Sequence, residues 1–420
     1  MTYEMEYTAY LYACGATGKI AEPPKQKVDW ERVVQIAVEQ SITYTVAIAI
    51  KKGNTDCDEN IKNRLIASLR GAAIKNALKT DGILSLVEKM ENEGIKTVII
   101  KGIDVARFYA NPECRVSSDT DLFIAPEDEK GAIEFLSRQG FFMDERPEIS
   151  NHAVGTHPVL GMIELHIKLL PDLYKNINIT NWQVDDRAIQ NREEVSYLGK
   201  KYFAMETTDN LLFLTHHMMK HLMYNGISLR MMMDNALFAK HNIEKLDRKK
   251  YEEALKETKY FYTMQLIFGA MVKYCGFLPS DFPIEPEYGE DMMAIMNDLE
   301  ESGWQGKNNE AERMEAWEYY RYQTAKIKND RSQISEINKE VNRYYRRALF
   351  LPMEYMQDKY PILKRNRWLY PFCWTHRFLT KGISRLFAGS WQDVRFQDDS
   401  SKLSEGGQKK VELLKRLELM

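Results

Sequence analysis

The sequence predicts an α+β protein in which a small mixed β-sheet is embedded in a largely helical chain. Three observations carry that prediction. Thr97 to Gly102 and Arg115 to Ile124 are β-rich runs separated by a helix-length segment, Ile103 to Asn111. Gly161 to Leu169 alternates apolar and polar residues with the period of a strand. On either side of this region, apolar residues recur at helical spacing over long stretches.

Taken in order, residues 1 to 28 read as an irregular tail or extended lead-in ending at Glu22-Pro23-Pro24-Lys25. Asp29 is a good N-cap for a helix whose Trp30, Val33, Val34, Ala37 and Val38 follow helical spacing. A second helical block, Asn60 to Glu93, leads through Gly94 into the first strand. After the second strand, Pro126-Glu127-Asp128 starts a helix through Ile133, Phe135 and Leu136, and Gly140 ends it. The order strand, helix, strand, helix, strand over residues 97 to 169 predicts a mixed sheet with helices on one side. His152 and His157 fall in a hairpin before the third strand, and the sequence leaves open which of them faces a site.

From Asp209 to His241 the pattern is helical again. His217 and His221 stand four apart, a spacing that can share a metal, but packing or capping is the plainer reading without an intervening Glu. Met218, Met219, Met223, Met231, Met232 and Met233 are read as flexible packing. Arg230 and Asp234 are i and i+4 and are expected to pair on the surface. A break runs from Leu278 to Tyr288 and a polar loop from Glu301 to Asn309. Glu310 to Tyr345 then reads as a long charged helix with few apolar contacts, among them Trp317, Tyr320 and Ile327. Between Arg343 and Arg385 ten Lys or Arg face two acids, interleaved with aromatics such as Trp368, Phe372 and Trp374. That composition suits nucleic acid or an anionic membrane, and equally a solvated face over buried aromatics. Gln397 to Met420 reads as a polar, then amphipathic, mobile tail.

Composition narrows the class. The chain has 420 residues, 44% of them hydrophobic, which is ample for buried cores in two or three domains. A formal net charge of −3 gives no global attraction to nucleic acid or anionic lipid. Five scattered cysteines without C-x-x-C spacing argue against a disulfide framework or a zinc knuckle. No basic and apolar leader and no membrane-length apolar run is visible, so a cytoplasmic location is expected.

The chemistry is concentrated in the strands. If residues 115 to 124 form one, Asp119 and Asp121 share a face while Thr120, Leu122 and Ile124 pack into the other. Two carboxylates roughly 7 Å apart repel each other unless a divalent cation sits between them. On that reading, neutralising either aspartate should relieve the repulsion and raise stability. In the third strand Ile163, Leu165 and Ile167 face the core, so Glu164 and His166 stand on the opposite face. Glu164 then lies beside the aspartates, and a three-carboxylate cluster is expected to raise at least one pKa until metal binds. Such a cluster can hold a two-metal site for in-line phosphoryl or nucleotidyl transfer.

Lys101-Gly102, Tyr109, Pro112, Arg115, Ser118-Asp119-Thr120-Asp121-Leu122 and Glu164-Leu165-His166 together resemble the uncharacterised bacterial nucleotidyltransferase family of the DNA polymerase β superfamily. Trp30-Glu31-Arg32, His216, Ser228-Leu229-Arg230 to Asp234, Leu349-Phe350-Leu351-Pro352 and Tyr360-Pro361 extend the resemblance from about residue 28 to about residue 385. Two positions depart from the superfamily: Lys-Gly replaces Gly-Ser before the first helix, and Thr120 replaces an aliphatic residue. Neither removes a carboxylate, but a serine hydroxyl is missing from its usual place at the triphosphate.

The resemblance implies a polymerase β-like core at residues 95–205, after a helical region at 1–94 and before a helical domain at 206–345 and a basic, aromatic region with a tail at 346–420. It implies transfer of a nucleoside monophosphate from a nucleoside triphosphate, ATP being favoured, to an unidentified acceptor with release of pyrophosphate. Asp119, Asp121 and Glu164 would bind Mg²⁺, with Mn²⁺ as an alternative, Glu164 serving the second metal or acting as base. Lys101, Gly102, Arg115 and Ser118 would bind the nucleotide, Arg230 and Asp234 would contact substrate, and His166 would contact substrate or orient Glu164. Competing readings are a non-catalytic nucleotide-binding or scaffold protein on the same fold, and a toxin-like enzyme that modifies tRNA.

Overall fold

In the computed structural model the sheet is the centre of a mainly helical chain. The structure describes residues 1–144, 152–169, 184–224, 226–303, 308–327, 353, 356–357, 360–364, 366–377 and 400–420. The chain divides into two compact units, residues 1–309 with 413–419, and residues 310–412 with Met420.

The N-terminus is not a tail. Residues Tyr3–Thr17 form α1, capped by the Thr2 hydroxyl and ended by Gly18 in a left-handed conformation. Met5, Leu11 and Tyr12 are buried in it on all sides. An all-round buried helix lacks the one-sided periodicity that makes helices visible in sequence, which explains the misreading. α1 lies against α3, Thr43–Lys52, so closely that a Cβ on Gly15 would fall 2.0 Å from the Thr45 carbonyl oxygen. In the chain α2, Trp30–Glu39, comes between them, and its cap Asp29 accepts from the amides of Glu31 and Arg32 as the sequence predicts. α4, Glu59–Asn92, is 34 residues long and delivers the chain to the sheet.

The sheet has five strands: β1 Thr97–Ile100, β2 Asp119–Ile124, β3 Phe142–Met143, β4 His152–His157 and β5 Gly161–His166. They run in the order β1-β2-β5-β4-β3, with β2 and β5 parallel and the other pairs antiparallel. A hairpin of β6, Glu193–Tyr197, and β7, Lys200–Ala204, forms a second, two-stranded sheet. Between β1 and β2 the helix is only α5, Gly102–Ala106, shorter than the sequence suggests, followed by a 3₁₀ turn at Pro112–Cys114. α6, Glu129–Arg138, follows β2, with Gly140 at positive φ behind it.

Helices cover both faces of the sheet rather than one. Leu122, Ile124, Ile163 and Leu165 pack on one side against Ile83, Val87 and Met90 of α4 and Phe135 and Leu136 of α6. Val98, Ile100 and Phe123 face the other way and meet Val184 and Ala188 of α7, Val184–Gln190, and Phe213 of α8, Thr207–Tyr224. The reason is in the strands themselves: β1 and β2 carry apolar residues at both alternating positions, so both faces need cover.

α8 is followed by α9, Leu229–Asn242, α10, Arg248–Glu257, α11, Phe261–Cys275, and α12, Glu290–Ser302. The methionines of α8 and α9 named above are buried, as packing requires. The smaller unit contains α13, Glu310–Ile327, and α14, Tyr370–Arg377. α13 is more buried than its charge suggests: Arg313, Ala316, Trp317, Tyr319 and Tyr320 are all enclosed. The last helix, α15, is Glu405–Arg416, so that part of the expected mobile tail is a packed helix. Val411 joins Ala316, Tyr319 and Ala325 in the core of the smaller unit. In the larger unit the Thr263 hydroxyl donates to the Leu417 carbonyl at 3.2 Å. Most of the basic run from Arg343 to Arg385, including Leu349 to Pro352, lies outside the described residues.

Candidate active site

The register of β2 and β5 decides which side chains meet. Asp121 lies opposite Glu164, and Asp119 opposite Met162. Because side chains alternate, Asp119, Asp121, Glu164 and His166 all point to the face that α8 covers. β4 then aligns His152 with His166, which adds a second imidazole to the same face. His157, at the other end of the hairpin, instead accepts at Nδ1 from the amides of Val159 and Leu160 and fixes the turn.

His166 Nε2 is 3.1 Å from Asp121 Oδ1 and 3.4 Å from Glu164 Oε2. Taken end to end, those contacts keep the two carboxylate oxygens within about 6.5 Å of each other. Asp121 Oδ1 also receives the Lys101 ammonium at 2.8 Å. Lys101 stands at the β1–α5 junction with φ of 59°, rare for a side-chain-bearing residue and costing on the order of 1–3 kcal/mol. Gly102 follows with φ of 43°, and a Cβ there would meet only open space. Glycine is required at that point by the backbone and not by crowding.

The repulsion between Asp121 and Glu164 that the sequence suggests is outweighed by neighbouring cations. Burial would raise the Asp121 carboxyl, but the Lys101 charge and the His166 contact hold it well below the usual carboxylate range. Glu164 is lowered by its bond to His166, against burial and the charge of Asp121. His166 in turn is raised: burial opposes its charged form, and the bonds to Asp121 and Glu164 outweigh burial. The expectation of a raised carboxyl is therefore corrected, because cations from elsewhere in the chain reach the cluster. Lys79 of α4 donates to the carbonyls of Ser117 and Asp119, both at 3.1 Å. Lys220 of α8 is pushed down to about 8 by burial and by Lys101, against the attraction of Glu164 and Asp121. Three lysines thus offset three carboxylates.

Ser117, rather than Ser118, touches the aspartates; its hydroxyl donates to Asp119 Oδ1 at 2.7 Å, while Ser118 is exposed. Arg115 is placed apart from the carboxylates. It is buried, and its Nε donates to Asp234 Oδ1 at 2.8 Å while Nη2 reaches Oδ2 at 2.5 Å. Tyr109 donates to the same carboxylate at 2.7 Å and meets Tyr12 of α1 at 2.9 Å. Asp234 is thus a buried partner of Arg115, not half of a surface pair, and Arg230 donates to the Val116 carbonyl at 3.1 Å. This network pins α1 and α9 onto the loop that feeds β2. α5 is fixed in the same way, since the wholly buried Asp104 accepts from Tyr202 at 2.7 Å and Asn210 at 2.9 Å.

Lys79, Lys220 and Ser117 were not singled out from the sequence, and of the two hairpin histidines it left open, His152 is the one on the site face. A signal for Lys220 was present: Phe213, His217, Lys220 and His221 recur at helical spacing on an otherwise apolar helix, a stripe that packing alone does not call for. Lys101 Nζ lies 5.9 Å from the Phe213 ring, which places that stripe against the cluster. His217 is held well below its ordinary pKa by burial and by Lys101, so it stays neutral.

The donor set suits a divalent cation. Asp119, Asp121 and Glu164 supply hard carboxylate oxygens, and His152, Glu164 and His166 have donor atoms within 4.8 Å of one another. A family model described as "Uncharacterised nucleotidyltransferase" matches residues 26–274. No curated protein matches the chain.

Proposed function

Since the chain belongs to this family of uncharacterised nucleotidyltransferases, we propose that it moves a nucleoside monophosphate from a nucleoside triphosphate, ATP foremost, to an acceptor and releases pyrophosphate. The observation that carries this reading is the cross-strand pairing of Asp121 with Glu164, with His166 between them and Lys101 against Asp121. Asp119, Asp121 and Glu164 would hold Mg²⁺, or Mn²⁺ in its stead. A divalent ion bound there supplies neutralisation of the charge that grows on the phosphoryl oxygens during in-line transfer.

The chain's own residues have defined tasks in this scheme. Lys101 leaves Asp121 for the phosphates, and Lys220 offers a second ammonium from the opposite wall. Gly102 keeps its outer side clear for the nucleotide. Glu164 is better suited as a ligand than as a base, because a carboxylate held below its usual pKa is a weak proton acceptor. Arg115 and Asp234 hold the β2 entry loop in place. The catalytic region in this proposal is residues 95–205, supported by the helical residues before and after it. A cytoplasmic location fits; among the described residues, no helix is long and apolar enough to cross a membrane.

The test is incubation of the purified chain with each labelled triphosphate and Mg²⁺, scoring pyrophosphate release and the labelled product in a cell extract. Glu164→Gln should reduce release by orders of magnitude while leaving a weakened first cation detectable. Wild-type rates from that variant would remove Glu164 from the site. Triphosphate binding without any pyrophosphate release would favour the non-catalytic reading.

A further inference from the structure

Beside the carboxylate pair Asp119 and Asp121 stand two imidazoles, of which His166 touches both Asp121 and Glu164. His152 and His166 are opposed across antiparallel β4 and β5, and Glu164 precedes His166 by two on the same face. All three are half-buried and converge to within 4.8 Å. The two imidazole rings lie 5.0 Å apart between centroids, which brings two nitrogen donors and a carboxylate onto the face that already carries two aspartates.

We propose that His152, Glu164 and His166 form a cation site with two nitrogen donors and one oxygen donor, selective for a borderline divalent transition metal over Mg²⁺. It deepens the reading above by assigning the second cation position, which would share Glu164 with the aspartate site. The donor chemistry supports this, because imidazole suits Zn²⁺, Fe²⁺, Ni²⁺ and Cu²⁺, whereas Mg²⁺ prefers an all-oxygen shell with water. The spacing supports it as well. Two donors each ~2.1 Å from one ion at tetrahedral angles lie about 3.4 Å apart, and His166 Nε2 lies 3.4 Å from Glu164 Oε2. The three residues also sit on paired strands, which hold ligands more rigidly than loops do.

The probe is Co²⁺, added to the chelator-treated full-length chain and followed by its visible absorption. The expected result is one equivalent bound, with ligand-field bands that survive millimolar Mg²⁺. His152→Ala should weaken Co²⁺ binding by at least about 100-fold, more than loss of an outer partner costs. His152→Cys should keep the ion and add a thiolate-to-cobalt charge-transfer band, which puts residue 152 in the coordination sphere even if the alanine variant folds poorly. Displacement of Co²⁺ by millimolar Mg²⁺, or a cysteine variant without that band, would overturn the proposal. The two readings fail separately: Mg²⁺-dependent pyrophosphate release without a Co²⁺ site sinks only this inference, and a Co²⁺ site without release sinks only the transferase reading.

Discussion

Asp121→Asn should destabilise the protein, contrary to what two facing carboxylates suggest from sequence alone. The Asp121 side chain is 8% exposed and Lys101 16% exposed, and Asp121 Oδ1 is also shared with His166. Removing the charge leaves an enclosed ammonium without its counter-ion, a change that costs about 3–5 kcal/mol at fully buried pairs. Two effects reduce it: the amide oxygen can still accept from Lys101, and Glu164 loses a like-charged neighbour, each contributing on the order of 1 kcal/mol. A net loss of about 2 kcal/mol remains. Because folding lowers the Asp121 pKa, its contribution is complete above the unfolded value near 4 and fades as pH falls below it. The deficit of the variant should therefore be full at pH 7 and shrink below pH 4. Equilibrium urea denaturation without divalent ions is the assay, read with several probes because two compact units need not unfold together. Asp119→Asn, which gives up mainly a Ser117 contact, is the comparison and should cost no more than about 1 kcal/mol. An Asp121→Asn protein as stable as wild type at pH 7 would refute the argument that Lys101 and His166 outweigh the carboxylate repulsion.

Lys101→Ala should raise the KM for triphosphate more than it lowers kcat, since a point charge on the phosphates acts in the ground state too; unchanged nucleotide affinity in a titration would remove Lys101 from the site. At the buried Arg115–Asp234 pair, Arg115→Met or Asp234→Leu alone should cost about 3–5 kcal/mol, and the double variant less than the two singles combined. A double-mutant cycle in urea measures this, and strict additivity would deny the coupling. His216, buried in α8, is lowered to about 3 by burial and by Lys220. The unfolded chain therefore takes up a proton near pH 6.5 that the folded chain refuses, so stability should fall by about 2 kcal/mol between pH 7 and pH 5 from this group. In His216→Phe that portion of the pH dependence should vanish, and an unchanged slope would count against it.

The sequence by itself determined which faces the strands present. Alternation in Asp119 to Ile124 and in Gly161 to His166 put three carboxylates and His166 opposite Leu122, Ile124, Ile163 and Leu165, and β2 and β5 keep that arrangement. Capping at Asp29, the buried methionines and the strand-to-helix turn at Lys101-Gly102 were legible for the same reason, since each is set by neighbours within a few residues. What approaches those faces was decided only by tertiary structure. Lys79 lies forty residues before Asp119, Lys220 comes from a helix beyond the second sheet, and Asp234 meets Arg115 across 119 positions. No local period encodes such distances. The same limit hid α1, whose burial on every side erases the one-sided pattern, and reversed the electrostatics of the site. A carboxylate cluster read alone predicts repulsion, whereas the fold surrounds it with ammonium groups from three separate elements, and at contact distances in a partly dehydrated pocket those charges prevail.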